Sequence, residues 1–374
     1  EKEKAAGMPE DCVEMFKAGE SVFFFGRKER IPMSKTNESV QKRVDIGGQA
    51  VMEGVMMKAP RAIAVSVRRP DHTIVTQLKP YTPLSEKHKW MGYPFLRGIV
   101  NMCTMFTMGM STLQDSTSML GILDEEPTKF EKWLSQKLGK GIDKVVMGVA
   151  VFLAIVLSLG LFFLLPELFA RLLKTWMPNQ AQNWLINLLS GIFRIMILIA
   201  YIAFCAKVPD VRRTFEYHGA EHKTVYCHEH DLPLTPENAQ QFSTLHPRCG
   251  TSFLLIVFVI SIILFTLVGY QGSNVALRFL SRIILLPIVA GISYEVLKGL
   301  AHSESKIAKI LRWPGMQMQR LTTRPPTNEM LAIVSMNVAL YGLPKNCETT
   351  PEGYTIIRDY RITDPDYVPS EAAE

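Results

Sequence analysis

Four long apolar segments constrain the fold of this chain more than any other feature. A transmembrane helix needs roughly 20 consecutive apolar residues, and four windows of the sequence meet or approach that length. We therefore predict a membrane α-helical protein with about four transmembrane helices, whose first partner is the lipid bilayer. The four windows are Val145–Leu165, Trp184–Ala206, Phe253–Tyr270 and Val275–Leu300.

The distribution of basic residues predicts the orientation of these segments. The net charge is +6, and lysines and arginines are concentrated in residues 1–144, in the loop 207–248 and after Lys298. The two other connections between apolar segments, Pro166–Asn183 and Gln271–Asn274, contain only two basic residues, Arg171 and Lys174. Because basic loops are retained in the cytoplasm, we predict that both termini and the central loop are cytoplasmic. No basic stripe with interleaved aromatic residues is present, so we expect no nucleic-acid partner.

The polar regions predict a small α/β cytoplasmic domain beside the membrane helices. Ala62–Val67 and Thr73–Gln77 are β-prone runs separated by a Pro-Asp turn, which predicts a β-hairpin. The predicted order of segments is a mobile N-terminal arm (1–45), a cytoplasmic glycine-rich and β-hairpin region (46–93), interfacial amphipathic helices (94–144), the first transmembrane pair (145–206), a cytoplasmic His/Cys-rich loop (207–252), the second transmembrane pair (253–300), a cytoplasmic C-terminal region (301–343) and a loosely ordered tail (344–374).

The segment Pro94–Leu120 allows two interpretations. It is apolar and rich in methionine, yet it contains polar residues such as Arg97, Asn101 and Asp115. A fifth crossing would place the basic first 93 residues outside, against the charge rule. We therefore favour an interfacial or re-entrant helix.

The stretch His218–Gly250 is dense in side chains that bind metals and transfer protons. It begins with His218-Gly219-Ala220-Glu221-His222, an H-x-x-E-H pattern. On a helix the two histidines lie four residues apart on one face and can share a metal, while Glu221 can act as a base. An ordinary polar helix next to the membrane fits this pattern equally well. The stretch holds five of the eight histidines, namely His218, His222, His228, His230 and His246.

The flanking apolar segments favour the metal interpretation. The second apolar segment ends and the third begins at the same membrane face. His246 and Cys249, which directly precede the third segment, are therefore expected at the same surface as the helix with His218 and His222. Two imidazoles with a further imidazole or thiolate make a zinc shell, in which three protein ligands leave a position for water and four make a structural site. Cys227, His228 and His230 are an alternative ligand cluster, but we expect them to be exposed polar residues.

Two carboxylates outside this stretch are further candidates. Glu295 lies near the cytoplasmic end of the fourth segment, where it can approach the histidines and support a ligand. Glu53 lies among glycines and is a second catalytic candidate beside Glu221, because it reaches the metal site if the N-terminal region docks beneath the membrane. The alternative for Glu53 is a solvated turn residue.

Arginines within the apolar segments are costly and therefore informative. Arg194 lies near the middle of the second segment and Arg282 in the outer half of the fourth, so that together they are placed to meet an anionic lipid group. The alternative, which we favour from the sequence, is that Arg278 and Arg282 extend toward the interface and that Arg194 hydrogen-bonds backbone carbonyl groups.

Five motifs occur in order between about Ile46 and Leu340, and in this combination the chain resembles the YqhQ family. That family comprises bacterial membrane proteins of unknown function that are regarded as metal-dependent enzymes. The resemblance implies a bacterial plasma membrane location, and by motif it marks His218, Glu221, His222, His246, Cys249 and Glu53 as site candidates. The motifs are GGQAVMEGVMM (Gly47–Met57), EYHGAEHKT (Glu216–Thr224), LHPRCGTSFL (Leu245–Leu254), SYE (Ser293–Glu295) and PGMQMQRLTTRPP (Pro314–Pro326).

These observations lead to two hypotheses. The first is metal-dependent chemistry of a hydrolytic kind at the cytoplasmic membrane surface, with zinc as the favoured ion. His218, His222 and either His246 or Cys249 are predicted to hold the metal, and Glu221 to move protons. The second is a non-enzymatic transport or membrane-assembly factor with a structural metal. The four segments show no evident inverted repeat. This disfavours a transport function unless the chain forms a homo-oligomer or joins other membrane proteins.

Overall fold

The elements described here come from a computed structural model of the chain. The predictions for the mobile arm, for the helix after residue 121 and for the end of the tail lie partly or wholly outside the described residues. The structure describes residues 46–121, 142–176, 183–268, 274–301, 303, 305–326, 330–343 and 347–357.

The strands lie near the two ends of the described chain, and the elements between them are helices. A 3-10 turn covers Lys89–Gly92 and a π-helical turn covers Gly160–Leu164. The strands are β1 (Gly47–Val51), β2 (Gly54–Lys58), β3 (Ala62–Arg68), β4 (Ile74–Pro80) and β5 (Thr355–Ile357). The helices are α1 (Leu84–Lys87), α2 (Leu96–Leu120), α3 (Ile142–Leu159), α4 (Leu165–Trp176), α5 (Asn183–Cys205), α6 (Pro209–Glu229), α7 (Pro236–Gln240), α8 (Gly250–Leu267), α9 (Val275–Ala301), α10 (Lys306–Thr322) and α11 (Met330–Tyr341).

The strands form one antiparallel sheet whose spatial order follows the chain order. The predicted hairpin corresponds to β3 and β4, which pair from Ala62↔Pro80 to Arg68↔Ile74. The glycine-rich stretch before it also forms strands, β1 and β2, joined by a tight turn. Glu53 lies in that turn with a φ of 48°, in the left-handed region.

Both faces of the sheet are covered, so β2 and β3 are buried along nearly their whole length. Val55 and Met57 belong to one apolar core, which includes Leu331 of α11. Met56 and Val65 belong to a second core on the opposite face, which includes Met119 of α2. Because neighbouring strand residues point to opposite faces, strands covered on both sides become continuous apolar runs rather than alternating ones.

The prediction of a loosely ordered tail is wrong for its described part. Thr355–Ile357 pairs with β4 as the edge strand of the sheet, and Ile357 is 1% exposed. The run Tyr-Thr-Ile-Ile is β-prone, but it is short and lies in surroundings rich in proline and acidic residues. Its strand character depends on the pairing that β4 offers.

Among the described residues, four helices are long and apolar enough to cross a membrane, which confirms the predicted fold class. They cover Val151–Trp176, Trp184–Cys205, Gly250–Leu267 and Ala276–Leu300. The first extends beyond its predicted end at Leu165, through the π-helical turn and α4. A π-helical turn accommodates the missing backbone N–H of Pro166, so the helix continues past the proline.

Helix α2 connects the membrane helices to the sheet. Near its start, Arg97 forms a salt bridge of 2.5 Å with Glu295 of α9. Near its end, Asp115 forms a salt bridge of 2.5 Å with Lys79 of β4. Helix α2 is not among the four candidate spans, and the choice between an interfacial helix and a fifth crossing stays a prediction.

The edge strand β5 generates a test of this architecture. Ile357→Ala removes a fully buried side chain, so we expect the free energy of unfolding to fall by about 2–5 kcal/mol. Glu352→Ala, which loses only an exposed ion pair with Arg69, should leave it nearly unchanged. Thermal unfolding of the detergent-purified protein measures both. Equal stability of the two variants would contradict the pairing of the tail with the sheet.

Candidate metal centre

Helix α6 carries the H-x-x-E-H pattern on one continuous face. Val208 is extended and Pro209 occupies the first helical turn, where its missing N–H has no cost. The helix ends after Glu229, and Asp231 follows with a φ of 54°. Within the helix the rings of His218 and His222 lie 4.4 Å apart between centroids.

A close contact at Gly219 explains why a glycine, which weakens helices, lies inside this motif. A Cβ atom at this position would lie 2.0 Å from the carbonyl oxygen of Arg324. The missing side chain therefore lets the segment after α10 touch α6, where the Arg324 N–H donates to the Phe215 carbonyl at 2.9 Å. A helical glycine costs about 1 kcal/mol relative to alanine, and this close approach is what it permits.

Each motif histidine is anchored through its Nδ1 atom to a backbone carbonyl group. His218 Nδ1 lies 2.9 Å from the Thr322 oxygen, and His222 Nδ1 lies 2.5 Å from the Thr244 oxygen. A carbonyl oxygen only accepts, so Nδ1 carries a proton in both rings, and in the neutral form of each ring Nε2 is the nitrogen that can bind a metal. Burial holds the pKa of His222 below its usual value, which favours the neutral ring. Metal-binding histidines are oriented in this way.

Cys249 completes the group of converging ligand atoms. Its sulfur lies 3.3 Å from His218 Nε2. Ligand atoms of His218, His222 and Cys249 all lie within 4.8 Å of one another. Cys249 is also the N-cap of α8 and accepts from the Thr251 N–H at 3.3 Å. The positive end of the helix dipole therefore faces the sulfur.

Glu221 lies beside these three residues and is buried. Its Oε2 atom lies 3.6 Å from His222 Nε2 and 4.0 Å from His218 Nε2. Burial raises the pKa of this carboxyl group. Strand β1 covers it closely, because a Cβ at Gly48 would lie 2.6 Å from Glu221 Cγ. The glycine-rich strand thus forms one wall of the site.

His246 lies nearby but uses both ring nitrogens elsewhere. Its Nε2 lies 3.0 Å from Glu229 Oε1, and its Nδ1 accepts from the Arg248 N–H at 3.3 Å. Between the two predicted alternatives for the third ligand, the structure brings Cys249, and not His246, to the histidine pair. Against the effect of burial, His246 and Arg248 hold the pKa of Glu229 below its usual value.

Gln319 is a site residue that the sequence analysis missed. It is fully buried, and its amide oxygen accepts from the His246 N–H at 2.7 Å. Its amide nitrogen donates to the His246 carbonyl at 2.7 Å and to Ser252 Oγ at 2.8 Å. Gln319 therefore holds the turn that delivers Cys249. The sequence signal for Gln319 was its position in the family motif Pro314–Pro326, but a lone glutamine indicates no particular chemistry.

A family model described as a protein of unknown function (DUF1385) matches residues 93–341. The chain is also 35% identical over 305 residues to the uncharacterized protein YqhQ of Bacillus subtilis (strain 168), a match covering 79% of this chain and 92% of that protein. The chain belongs to the YqhQ family. No solved structure matches it.

The matching family model includes the three converging residues and Glu221, but it begins at residue 93, after the strands β1–β4, and therefore does not include Glu53. Glu53 accepts hydrogen bonds from the Arg213 guanidinium and from the Tyr217 hydroxyl, the latter at 3.1 Å. These contacts fasten the β1–β2 turn to the start of α6. The structure therefore places Glu53 in an ion pair one to two turns before the motif, and its predicted catalytic role stays untested.

Glu295 is likewise held in an ion pair. It accepts from Arg97 Nε at 2.7 Å and from the Phe95 N–H at 3.1 Å. It therefore fixes the start of α2 against α9, in contrast to the predicted support of a ligand. An arginine 198 residues away in the sequence gives no local signal of this pairing.

The alternative cluster of Cys227, His228 and His230 does not converge on the site. Cys227 is fully buried in a small apolar core, so the expectation of an exposed residue is wrong for it. Burial raises the pKa of its thiol to about 11. His230 Nδ1 lies 2.8 Å from the Tyr226 carbonyl oxygen of the preceding turn.

Gly219 provides a test of how the site is held. Gly219→Ala must push the Arg324 carbonyl away, so we expect a loss of about 1–3 kcal/mol in the free energy of unfolding. Gly299→Ala adds a methyl group in open space, and should be neutral or stabilise by up to about 1 kcal/mol. Thermal unfolding of both variants measures the difference. Tolerance of Gly219→Ala would show that the close contact with α6 does not form.

Proposed function

We propose that this protein is a zinc-dependent enzyme with His218, His222 and Cys249 as metal ligands. The observation that carries the proposal is the pair of Nδ1–carbonyl hydrogen bonds. They leave two Nε2 atoms beside one sulfur, in a group whose ligand atoms lie within 4.8 Å of one another.

The distances and the donor types of these residues suit zinc. Zinc bonds of about 2.0 Å to nitrogen and 2.3 Å to sulfur in a tetrahedron separate neighbouring ligand atoms by roughly 3.5 Å. The spacing of 3.3 Å between His218 Nε2 and Cys249 Sγ is close to that value. Imidazole and thiolate ligands favour zinc, whereas magnesium and calcium require oxygen ligands.

Glu221 is the residue that we propose to move protons. It lies within 4.0 Å of both Nε2 atoms, and burial raises its pKa above the ordinary carboxylate value. A carboxylate with that property is suited to general base catalysis. Zinc held by three protein ligands acidifies water and polarises carbonyl groups, which is the chemistry of hydrolases. A hydrolytic reaction is therefore the proposed class.

The position of the ligands supports a reaction at the membrane surface. Helix α6 begins at Pro209, four residues after α5 ends at Cys205, and Cys249 is the N-cap of the membrane helix α8. The charge distribution favours the cytoplasmic face of the bacterial plasma membrane, with both termini on that side.

A structural metal site is the second candidate, and one observation favours it. Glu221 Oε2 is 3.6 and 4.0 Å from the two Nε2 atoms, which is near the spacing of a fourth tetrahedral ligand. A closed site with four protein ligands would hold α6 against α8 without catalysis. The protein would then be a transport or membrane-assembly factor.

Metal content tests the ligand set. We expect about one equivalent of zinc in the detergent-purified protein, lost in His218→Ala, His222→Ala and Cys249→Ser because each removes a ligand. His228→Ala is the matched control on the same helix and should retain the metal. Elemental analysis together with gel filtration measures binding and folding. Absence of metal from the wild type after incubation with zinc would rule out both the enzyme and the structural site.

Glu221→Gln separates the two candidates. If Glu221 is a base, the variant keeps its zinc affinity. In the wild type substituted with cobalt, small anions should then change the visible spectrum, because a ligand position on the metal is open. If Glu221 is a fourth ligand, the affinity falls and anions leave the wild-type spectrum unchanged. Glu216→Gln, on the same helix, is the control for both measurements. Retained affinity without an anion response would contradict the enzyme proposal.

A further inference from the structure

A second polar site lies inside the membrane bundle, remote from the metal centre. Helices α4, α5, α8 and α9 surround a cavity that Glu167, Arg194, Arg278 and Arg282 line. Arg194 lies 11 residues before the end of α5, or about 16 Å along the helix. Arg278 and Arg282 lie in the first third of α9, whose far end leads toward α10 and the metal centre.

The charges around this cavity do not balance. Glu167 is 4% exposed and forms an ion pair with Arg278. Its other ion-pair partner is Arg171, at 3.7 Å. Arg194 and Arg282 have no carboxylate within salt-bridge distance among the residues that the structure describes. Two further positive charges therefore stand within candidate membrane spans, where uncompensated charge is costly.

The two arginines also carry buried hydrogen-bond donors without partners. Arg194 Nε and Arg282 Nη1 have no hydrogen-bond partner in the described part of the chain, and neither does the Ser190 hydroxyl beside them. The Arg282 guanidinium lies 5.5 Å from the Phe163 ring centroid and 5.8 Å from that of Phe265, so aromatic faces stabilise part of its charge. The donors themselves stay unsatisfied, which native proteins generally avoid.

This geometry corrects the interpretation that the sequence favoured. Arg194 does not use its Nε to bind a backbone carbonyl group, and this buried Nε atom lies at mid-helix, away from the interface. Arg282 turns into the same cavity instead of extending along the bundle surface. Both therefore point to a ligand that brings negative charge and several acceptor oxygens.

We propose that this cavity binds an oxyanion of the phosphate type, supplied by a phospholipid headgroup or by free phosphate. Arginine guanidinium groups bind phosphate oxygens through paired hydrogen bonds, and the Ser190 hydroxyl adds a further hydrogen-bond donor. The cavity has a volume of about 30 Å³, which is room for two or three oxygen atoms at about 10–15 Å³ each, so part of the phosphate group enters it and the rest lies at its mouth. Acyl chains of a lipid therefore lie outside, between the helices and the bilayer.

The test uses full-length protein in detergent, with phosphatidylglycerol, the diacylglycerol with the same chains, and inorganic phosphate as probes. We expect phosphatidylglycerol to raise the thermal unfolding midpoint and diacylglycerol to leave it unchanged. Native mass spectrometry counts the bound lipid. A comparable rise with inorganic phosphate alone assigns the site to free phosphate, and its absence assigns the site to the lipid headgroup.

Arg194→Gln with Arg282→Gln should weaken phosphatidylglycerol binding by about tenfold or more, because hydrogen bonds to a charged group are lost. Arg171→Gln is the matched control, since Arg171 touches Glu167 from the exposed side and does not line the cavity. Each single variant is also measured, so that one poorly folded protein does not decide the result. Equal binding by wild type and variants, or no response of the wild type to either phosphate source, overturns the proposal.

Discussion

The two hydrogen bonds from imidazole Nδ1–H groups to backbone carbonyls are the interactions on which the candidate metal centre depends. They require two segments distant in the chain, at Thr244 and Thr322, to reach one face of α6. Gly219 permits the second approach, and Gln319 clamps the turn at His246 that follows the first. Because backbone carbonyl groups orient both rings, the two Nε2 atoms converge before any metal binds. Such preorganisation lowers the conformational cost of binding.

The carboxylates of this protein differ in their surroundings and therefore in what they can do. Glu53 is paired with Arg213, and Glu229 and Glu295 also have arginine partners. Glu221 is buried, and the basic side chains within 4.0 Å of its carboxylate among the described residues are the two motif histidines. A carboxylate paired with arginine serves to fasten elements. A buried carboxylate beside two imidazole rings is placed for proton transfer or for metal binding.

Two helices couple the sheet to the membrane bundle. Helix α2 lies on the sheet at one end and on α9 at the other, while α6 is held to the β1–β2 turn through Glu53. The two polar sites consequently belong to different parts of the structure. The candidate metal centre lies where the sheet meets the ends of the membrane helices. The arginine cavity lies within the bundle, where Arg194 and Arg282 have no carboxylate partner among the described residues and a bound anion would compensate their charge.

The amino-acid sequence by itself determined the features that depend on local periodicity. Length and apolarity define the four spans, alternation and turn residues define the β3–β4 hairpin, and a four-residue spacing puts His218 and His222 on one helix face. Only the tertiary structure decided that Cys249 and not His246 joins them, that Glu295 serves α2 instead of the site, and that part of the tail is a strand. Each of these outcomes rests on contacts between residues far apart in the chain. A sequence pattern records which residues neighbour one another along the helix or strand, and it carries no record of which distant segment will supply the partner.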